Sequence, residues 1–213
     1  CHHQRRECTG HGGLMDSRTP LASPLFVPEI RRWLRVVCLD CGAPVVDLGK
    51  YASVSRSRRL AEASKASTEG ARCPVCRATH PKIVKDDEDY FTFNAEYPAA
   101  GKAVAQKLYP GTIREAFERV TDATVEALGR PYHPRVLVLR KIFVPPNTIR
   151  PGVRMGFGPA GAASYHDLTN MLQYLVKRNM MLPEEMPTEM TKELDRLIQN
   201  AQQLYYDMVL GAA

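Results

Sequence analysis

Four of the six cysteines in this chain form two C-x-x-C pairs, Cys38/Cys41 and Cys73/Cys76, roughly thirty residues apart. Two thiolates separated by two residues can both reach one tetrahedral metal ion, and two such knuckles supply all four ligands of a closed structural site. The segments around residues 40 and 75 must therefore meet in space. The other two cysteines, Cys1 and Cys8, precede His11 with C-x6-C-x2-H spacing, which is three quarters of a second site. Its fourth ligand is His2, His3 or a residue ahead of Cys1. On this reading every cysteine grips Zn²⁺, in two structural sites. A catalytic zinc keeps an open water position beside a carboxylate base, and no HExxH motif is present.

Two rival readings of the thiols are weaker. A disulfide within C-x-x-C closes a loop too tight to staple a fold, and no secretory segment precedes these cysteines. A thioredoxin-like pair opens a helix in a βαβ pattern, whereas Cys38 follows the apolar run WLRVV and Cys41 is followed by Gly42. Reduced, metal-bound thiols imply an intracellular reducing compartment. That compartment is nuclear if the source is eukaryotic, and otherwise cytoplasmic or virus-associated.

Length and charge bound the rest. The chain has 213 residues, 44% hydrophobic and 24% charged, which is enough for one large or two small cores. No apolar run reaches the length of a membrane span, so no membrane partner is expected. The net charge of +6 permits a polyanionic partner without demanding one. The chain opens on Cys1 with no initiator Met, as expected of a piece of a longer protein.

Periodicity predicts an α+β fold. Residues 1–20 are polar and Gly-rich, with order expected from metal alone. Leu25–Val37 carries Phe26, Ile30, Trp33, Leu34 and Val37 at helical spacing. Lys50–Gly70, rich in Ser, Ala and Arg, predicts a short helix, and its Arg56, Arg58 and Arg59 form the densest basic run. Ile83–Lys85 and Tyr90–Asn94 read as a hairpin around the acidic turn DDED. Helices are expected over Ala99–Tyr109 and Thr112–Val120, with a third turn-rich piece over Thr121–Leu128. Val136–Val144 reads as a buried strand halted by Pro145-Pro146. Arg150–Ser164 reads as irregular loop. Asp167 is expected to cap a helix running to Asn179, and a longer amphipathic helix is expected from Thr188 or Thr191 to Leu210.

In order along the chain, these pieces resemble the N-terminal clamp region of the largest subunit of multisubunit DNA-directed RNA polymerases. That family opens with C-x2-C-x6-C-x2-H, its last ligands in a CxGHxG context; Cys1, Cys8 and His11 in ECTGHGG match, with the first cysteine falling three residues before Cys1. The family's VCxxCG knuckle is VCLDCG here, from Val37 to Gly42, and its partner knuckle is CPVCRATHPKIVK, from Cys73 to Lys85. A V-P-P…RP passage stands as VPPNTIRPGV at Val144–Val153. The lid loop follows at Arg154–His166, and then DLT at Asp167–Thr169 opens a helix that ends in Lys177-Arg178-Asn179. The usual GHFGHI is GHGGLM here, which loses an aromatic and a second His. Similarity is faint over Lys50–Gly70 and Ala99–Arg135, as would suit a divergent, viral-type enzyme.

The resemblance implies an irregular, zinc-stabilised clamp with short strands and a helical C-terminal part. Residues 1–37 would be clamp core with the first zinc site, 38–146 clamp head with the second, and 147–213 the lid loop and clamp-core helices. The implied partners are template DNA, the RNA–DNA hybrid, and the second-largest and other polymerase subunits. Arg150, Arg154, Lys177 and Arg178 are the candidate phosphate contacts near the lid. The family's NADFDGD motif, whose aspartates hold catalytic Mg²⁺, is absent from these residues, so Mg²⁺ is expected only in a catalytic part outside them. From the residues alone, a free-standing zinc-knuckle binding module and a C-x-x-C oxidoreductase stay open as alternatives.

Overall fold

The computed structural model describes residues 8, 10–86, 92–98, 104–155 and 162–181. The chain divides into two compact units, one of Pro20–Leu139 and one of Cys1–Thr19 with Arg140–Ala213. The expected hairpin turn (beyond Asp86), the first half of the expected Ala99–Tyr109 helix, the tip of the lid segment and the expected C-terminal helix lie outside the described residues.

In the Pro20–Leu139 unit, helix α1 (Val27–Val36) begins with Pro28 in its first turn, where a missing N–H costs nothing. It buries Ile30, Trp33 and Leu34 completely, at the 3–4-residue spacing that marks one helical face. Helix α2 (Arg56–Ala66) packs beside it through Leu60 and Ala63. A three-stranded antiparallel meander follows: β2 (Lys82–Lys85), β3 (Phe93–Tyr97) and β4 (Val104–Leu108). Its register sets Lys82 opposite Glu96 and Phe93 opposite Leu108. Ile83, Phe93, Ala95 and Leu108 enter the same core as Trp33. Helices α3 (Pro110–Glu118) and α4 (Asp122–Ala127) close the unit. The Phe117 ring meets Trp33 edge-on at 6.5 Å, and the Thr121 hydroxyl caps α4 by accepting the Thr124 N–H. Each fully buried large side chain here contributes about 1.5–3 kcal/mol.

The other unit contains most of β1 (Gly13–Ala22) and β5 (Val138–Val144), which pair as a two-stranded sheet. It also holds a hairpin of β6 (Val153–Met155) and β7 (Ala162–Ser164), and helix α5 (Asp167–Met181). α5 buries Leu168, Leu172 and Leu175. Its Asn179 amide bridges the edge of β1, its oxygen accepting the Arg18 N–H at 2.9 Å and its nitrogen donating to the Asp16 carbonyl at 3.0 Å. Asn179→Ala is expected to cost about 1–2 kcal/mol. The check is local: the Arg18 amide should exchange its hydrogen faster, whereas Asn179→Asp, which keeps the acceptor, should protect it.

Several expectations need correction. Residues 13–22 form a strand, not a metal-ordered coil. Their half-buried positions 15, 17 and 19 alternate with exposed ones up to Arg18, and Leu21 is fully buried; Pro20 is tolerated because β1 and β5 are the only strands of this sheet among the described residues. The C-terminal half of the expected Ala99–Tyr109 helix is strand β4, since pairing with β3 overrides the weak helical propensity of VAQKL. β3 starts three residues later than expected. β5 buries only Val138 and Ile142 among its seven residues, so it is not a fully buried strand. The expected irregular loop contains the β6–β7 ladder, because its Gly and Pro residues concentrate in 156–161 and leave the flanks free to pair. The start of α5 is capped by His166, whose Nδ1 accepts the Leu168 N–H at 3.2 Å, while Asp167 occupies the first turn.

Candidate metal centre

Both knuckles are built alike. The Cys38 N–H donates to the Ala43 carbonyl at 2.8 Å, and the Gly42 N–H returns to the Cys38 carbonyl at 3.0 Å. At the second knuckle Cys73 N–H donates to Ala78 at 2.8 Å and Arg77 N–H returns to Cys73 at 3.0 Å. One antiparallel bridge closes each base, Val37 with Pro44 and Arg72 with Thr79. In both, the fifth residue is left-handed: Gly42 at φ 72° and Arg77 at φ 62°. α1 delivers the first knuckle, since Cys38 follows its C-cap, and the second knuckle runs on through His80 and Pro81 into β2.

The knuckles face each other. All four sulfurs of Cys38, Cys41, Cys73 and Cys76 lie within 4.8 Å of one another. Cys38 Sγ is 3.5 Å from Cys76 Sγ, and Cys41 Sγ is 3.5 Å from Cys73 Sγ. A tetrahedral tetrathiolate centre with metal–sulfur bonds of about 2.3 Å has sulfur–sulfur edges of about 3.8 Å. A disulfide needs about 2.05 Å, so the thiols are free and the set fits one metal ion. Burial pushes the Cys38 thiol up to about 12 and raises Cys41 as well. At Cys73 burial also pushes upward, but N–H groups of Cys76 and Val75, helped by the neighbouring thiols, outweigh it and bring the thiol down to about 7. N–H donors aimed at sulfur stabilise thiolate, the form that binds metal.

The first cluster is described only in part. Cys8 Sγ lies 3.6 Å from His11 Nδ1, and the Gly10 N–H donates to Cys8 Sγ at 3.4 Å. Sulfur and imidazole nitrogen on one tetrahedral ion stand about 3.6 Å apart, so this pair also suits a shared metal. Cys1, His2 and His3 lie outside the described residues. Gly10 is required twice over: its φ is +84°, and a Cβ there would approach Pro146 Cβ to 2.8 Å. At Gly12 a Cβ would meet the Phe143 ring at 2.8 Å, so β5 supplies an aromatic where the sequence lacks one.

The basic candidates are placed differently from one another. Arg150 Nε donates to the Pro145 carbonyl at 3.0 Å and Nη1 to Thr169 Oγ1 at 3.3 Å, tying the end of β5 to α5. Arg150 and Lys177 line one cleft of about 380 Å³ with Thr169, Leu172 and Val176. Arg178 stacks over the Tyr174 ring, 5.0 Å from its centroid. Arg154 is central in β6, opposite Ala163. Arg59, from the densest basic run, donates to the Val54, Ala52 and Ala127 carbonyls and serves as an internal tie. Asp86, first of the DDED run, is buried with Lys107 at 2.6 Å and Thr92 at 3.1 Å, which makes it a closure of the meander. Sequence reasoning missed His80, which is 3% exposed; four residues past Cys76, no spacing rule singles it out. No helix among the described residues is long and apolar enough to cross a membrane.

Comparison with known proteins bears on what such a centre supports. Residues 1–210 match the profile of the family described as RNA polymerase Rpb1, domain 1. The DNA-directed RNA polymerase RPB1 homolog of African swine fever virus is 50% identical over 218 aligned residues, covering all of this chain and 15% of that protein. The Rpo1N subunit of Sulfolobus acidocaldarius is 31% identical over 94% of this chain and 24% of its own length. The RNA polymerase II subunit RPB1-A of Trypanosoma brucei brucei is 26% identical over 92% of the chain and 13% of its own length. The chain thus spans about 15% of the length of the viral relatives it matches. With a profile match across nearly every residue and half of them identical to a viral largest subunit, this chain belongs to the RNA polymerase Rpb1 domain 1 family.

Proposed function

We propose that the chain is the clamp-forming N-terminal part of the largest subunit of a viral-type DNA-directed RNA polymerase. In this reading it helps enclose template DNA and the RNA–DNA hybrid while nucleotidyl transfer, with its Mg²⁺, occurs elsewhere in the parent subunit. The observation that carries it is the alignment with the viral RPB1 homolog, which covers the whole chain at 50% identity. The second-largest and other polymerase subunits are the protein partners this reading requires.

Zn²⁺ is the ion assigned to both clusters. A closed set of four thiolates is the donor chemistry of structural zinc, and Cys8 with His11 supplies the mixed sulfur–imidazole set of the other site. Cys38 and Cys73, nearly fully buried, would hold the ion from within, and Cys41 and Cys76 from the solvent side. Zinc supplies a crosslink between segments distant in sequence, so that the unit can move as one rigid body.

The β6–β7 hairpin is assigned as the lid, a wedge that parts nascent RNA from template. An antiparallel ladder holds its base, and the sequence between the two strands is rich in Gly and Pro. Arg150, Arg154, Lys177 and Arg178 are assigned to backbone phosphates, which need charge without base readout. The test is a complete polymerase in which residues 156–161 are replaced by Asn-Gly, a turn that joins Met155 and Ala162 without disturbing their pairing. Nucleotide addition should persist, while transcripts remain hybridised to template and stay sensitive to RNase H over a longer stretch. Normal displacement of RNA by that variant would remove the lid assignment.

A further inference from the structure

In the Pro20–Leu139 unit, α1 carries Arg31, Arg32 and Arg35, and none makes an ion pair or side-chain hydrogen bond to another described residue. Arg31 and Arg32 are exposed, and Arg35 is half-buried. Two adjoining hollows share Arg31 and Arg35. One, of about 400 Å³, lies between α1, α2 and the meander, with Val27 and Phe93 in its floor. The other, of about 100 Å³, is walled by His80 and Lys82. Glu69 is the single carboxylate among the residues lining either hollow.

His80 decides what the cleft can take. It is 3% exposed, and its Nδ1 is buried without a partner. Burial, reinforced by the Arg35 charge, lowers its pKa and disfavours the imidazolium, leaving Nδ1 as a buried ring nitrogen in need of a hydrogen-bond partner. An occupant must bring anions for the guanidiniums, apolar surface for the floor and a hydrogen-bonding group for Nδ1. A DNA backbone brings anions but no apolar side chain for the floor. An acidic peptide with an apolar side chain brings all three.

We propose that this cleft is a docking groove for an acidic segment of a protein partner, with carboxylates on Arg31 and Arg35, one apolar anchor over Val27 and Phe93, and a backbone hydrogen bond to His80 Nδ1. The groove does not depend on the polymerase reading, and its failure leaves that reading intact.

The experiment uses the complete subunit in its assembled enzyme, first without DNA and then with duplex DNA added to saturation. The probe is a short fluorescent peptide of Asp and Glu around a central Leu, followed by anisotropy. Binding should weaken at least about tenfold with R31E/R35E, and should be lost for a probe with Asn and Gln in place of the acids. His80→Phe, which fills the same space without a ring nitrogen, should weaken it several-fold. Unchanged melting and metal content in each variant keep the comparison valid. The proposal is overturned if the acidic probe does not bind, if it binds R31E/R35E equally well, or if added duplex DNA displaces it. The last result would make nucleic acid the occupant.

Discussion

Replacing Cys73 by Ser, or stripping the metal with a chelator, is expected to lower the melting temperature of the Pro20–Leu139 unit by more than about 10 °C. It should also open residues 67–80 to protease. Structural zinc contributes roughly 10–16 kcal/mol in small zinc peptides, as much as the net stability of a whole domain. Even a third of that, about 3–5 kcal/mol, shifts the melting of a unit this size by the stated amount. The segment between α2 and β2 shows why the loss concentrates there. From Ser67 to Pro81 it places only Cys73, His80 and Pro81 in the interior, so apolar burial does not hold it. Protons and metal compete for the thiols, and burial holds Cys38 near 12 and Cys41 above its ordinary value. Metal affinity therefore rises with pH, and a chelator should strip the site more readily at pH 6 than at pH 8. Metal analysis on the intact enzyme should fall by one zinc ion per subunit in Cys73→Ser. An unchanged zinc content or proteolysis pattern in that variant defeats the assignment.

The ligand set was legible because cysteine identity and spacing carry the chemistry directly: nothing beyond Cys38, Cys41, Cys73 and Cys76 is needed to place one ion. Helices α1 and α3 were equally plain, since Ile30, Trp33 and Leu34, then Ile113 and Phe117, repeat at helical spacing into one core; α4, six residues long, read only as a turn-rich piece. β1 and β4 were not legible. Each is a polar, half-exposed strand whose conformation comes from a partner distant in sequence, β5 for the first and β3 for the second, and local propensity cannot report such pairing. The site's other elements divide on the same line. Arg59 stood out in the sequence only as part of a basic run, but carbonyls brought together by the fold give it an internal role. His80 is singular only once Arg35 is known to sit beside it. The left-handed turn at the second knuckle was invisible for a different reason. Its fifth residue is Arg77, not the Gly that marks the same place in the first.

That difference sets up the second large effect. Gly42→Ala is expected to destabilise the unit by about 3 kcal/mol or more, whereas Arg77→Gly is expected to change stability by less than about 1 kcal/mol. Both positions are left-handed, so an L side chain costs about 1 kcal/mol at either. The sites differ in what a Cβ would meet. At Gly42 it would lie 2.5 Å from the backbone carbon and oxygen of Arg119 and 2.8 Å from Arg119 Cβ. That backbone cannot swing aside: Arg119 is the C-cap of α3, two residues past the buried Phe117, and its guanidinium donates to the Leu39 carbonyl at 3.2 Å inside the same knuckle. Relief then requires moving α3 away from Trp33 or moving the knuckle away from the second pair of thiols. Arg77 is exposed, so only its backbone strain is at stake, and the entropy Gly adds to the unfolded chain offsets the relief. Trimming the Arg119 side chain in an Arg119→Ala/Gly42→Ala double variant should not rescue Gly42→Ala, because the closest atoms are main chain. Chemical denaturation of the four proteins decides the matter. A Gly42→Ala variant within about 1 kcal/mol of the original would mean that the knuckle and α3 do not abut as closely as the structure places them.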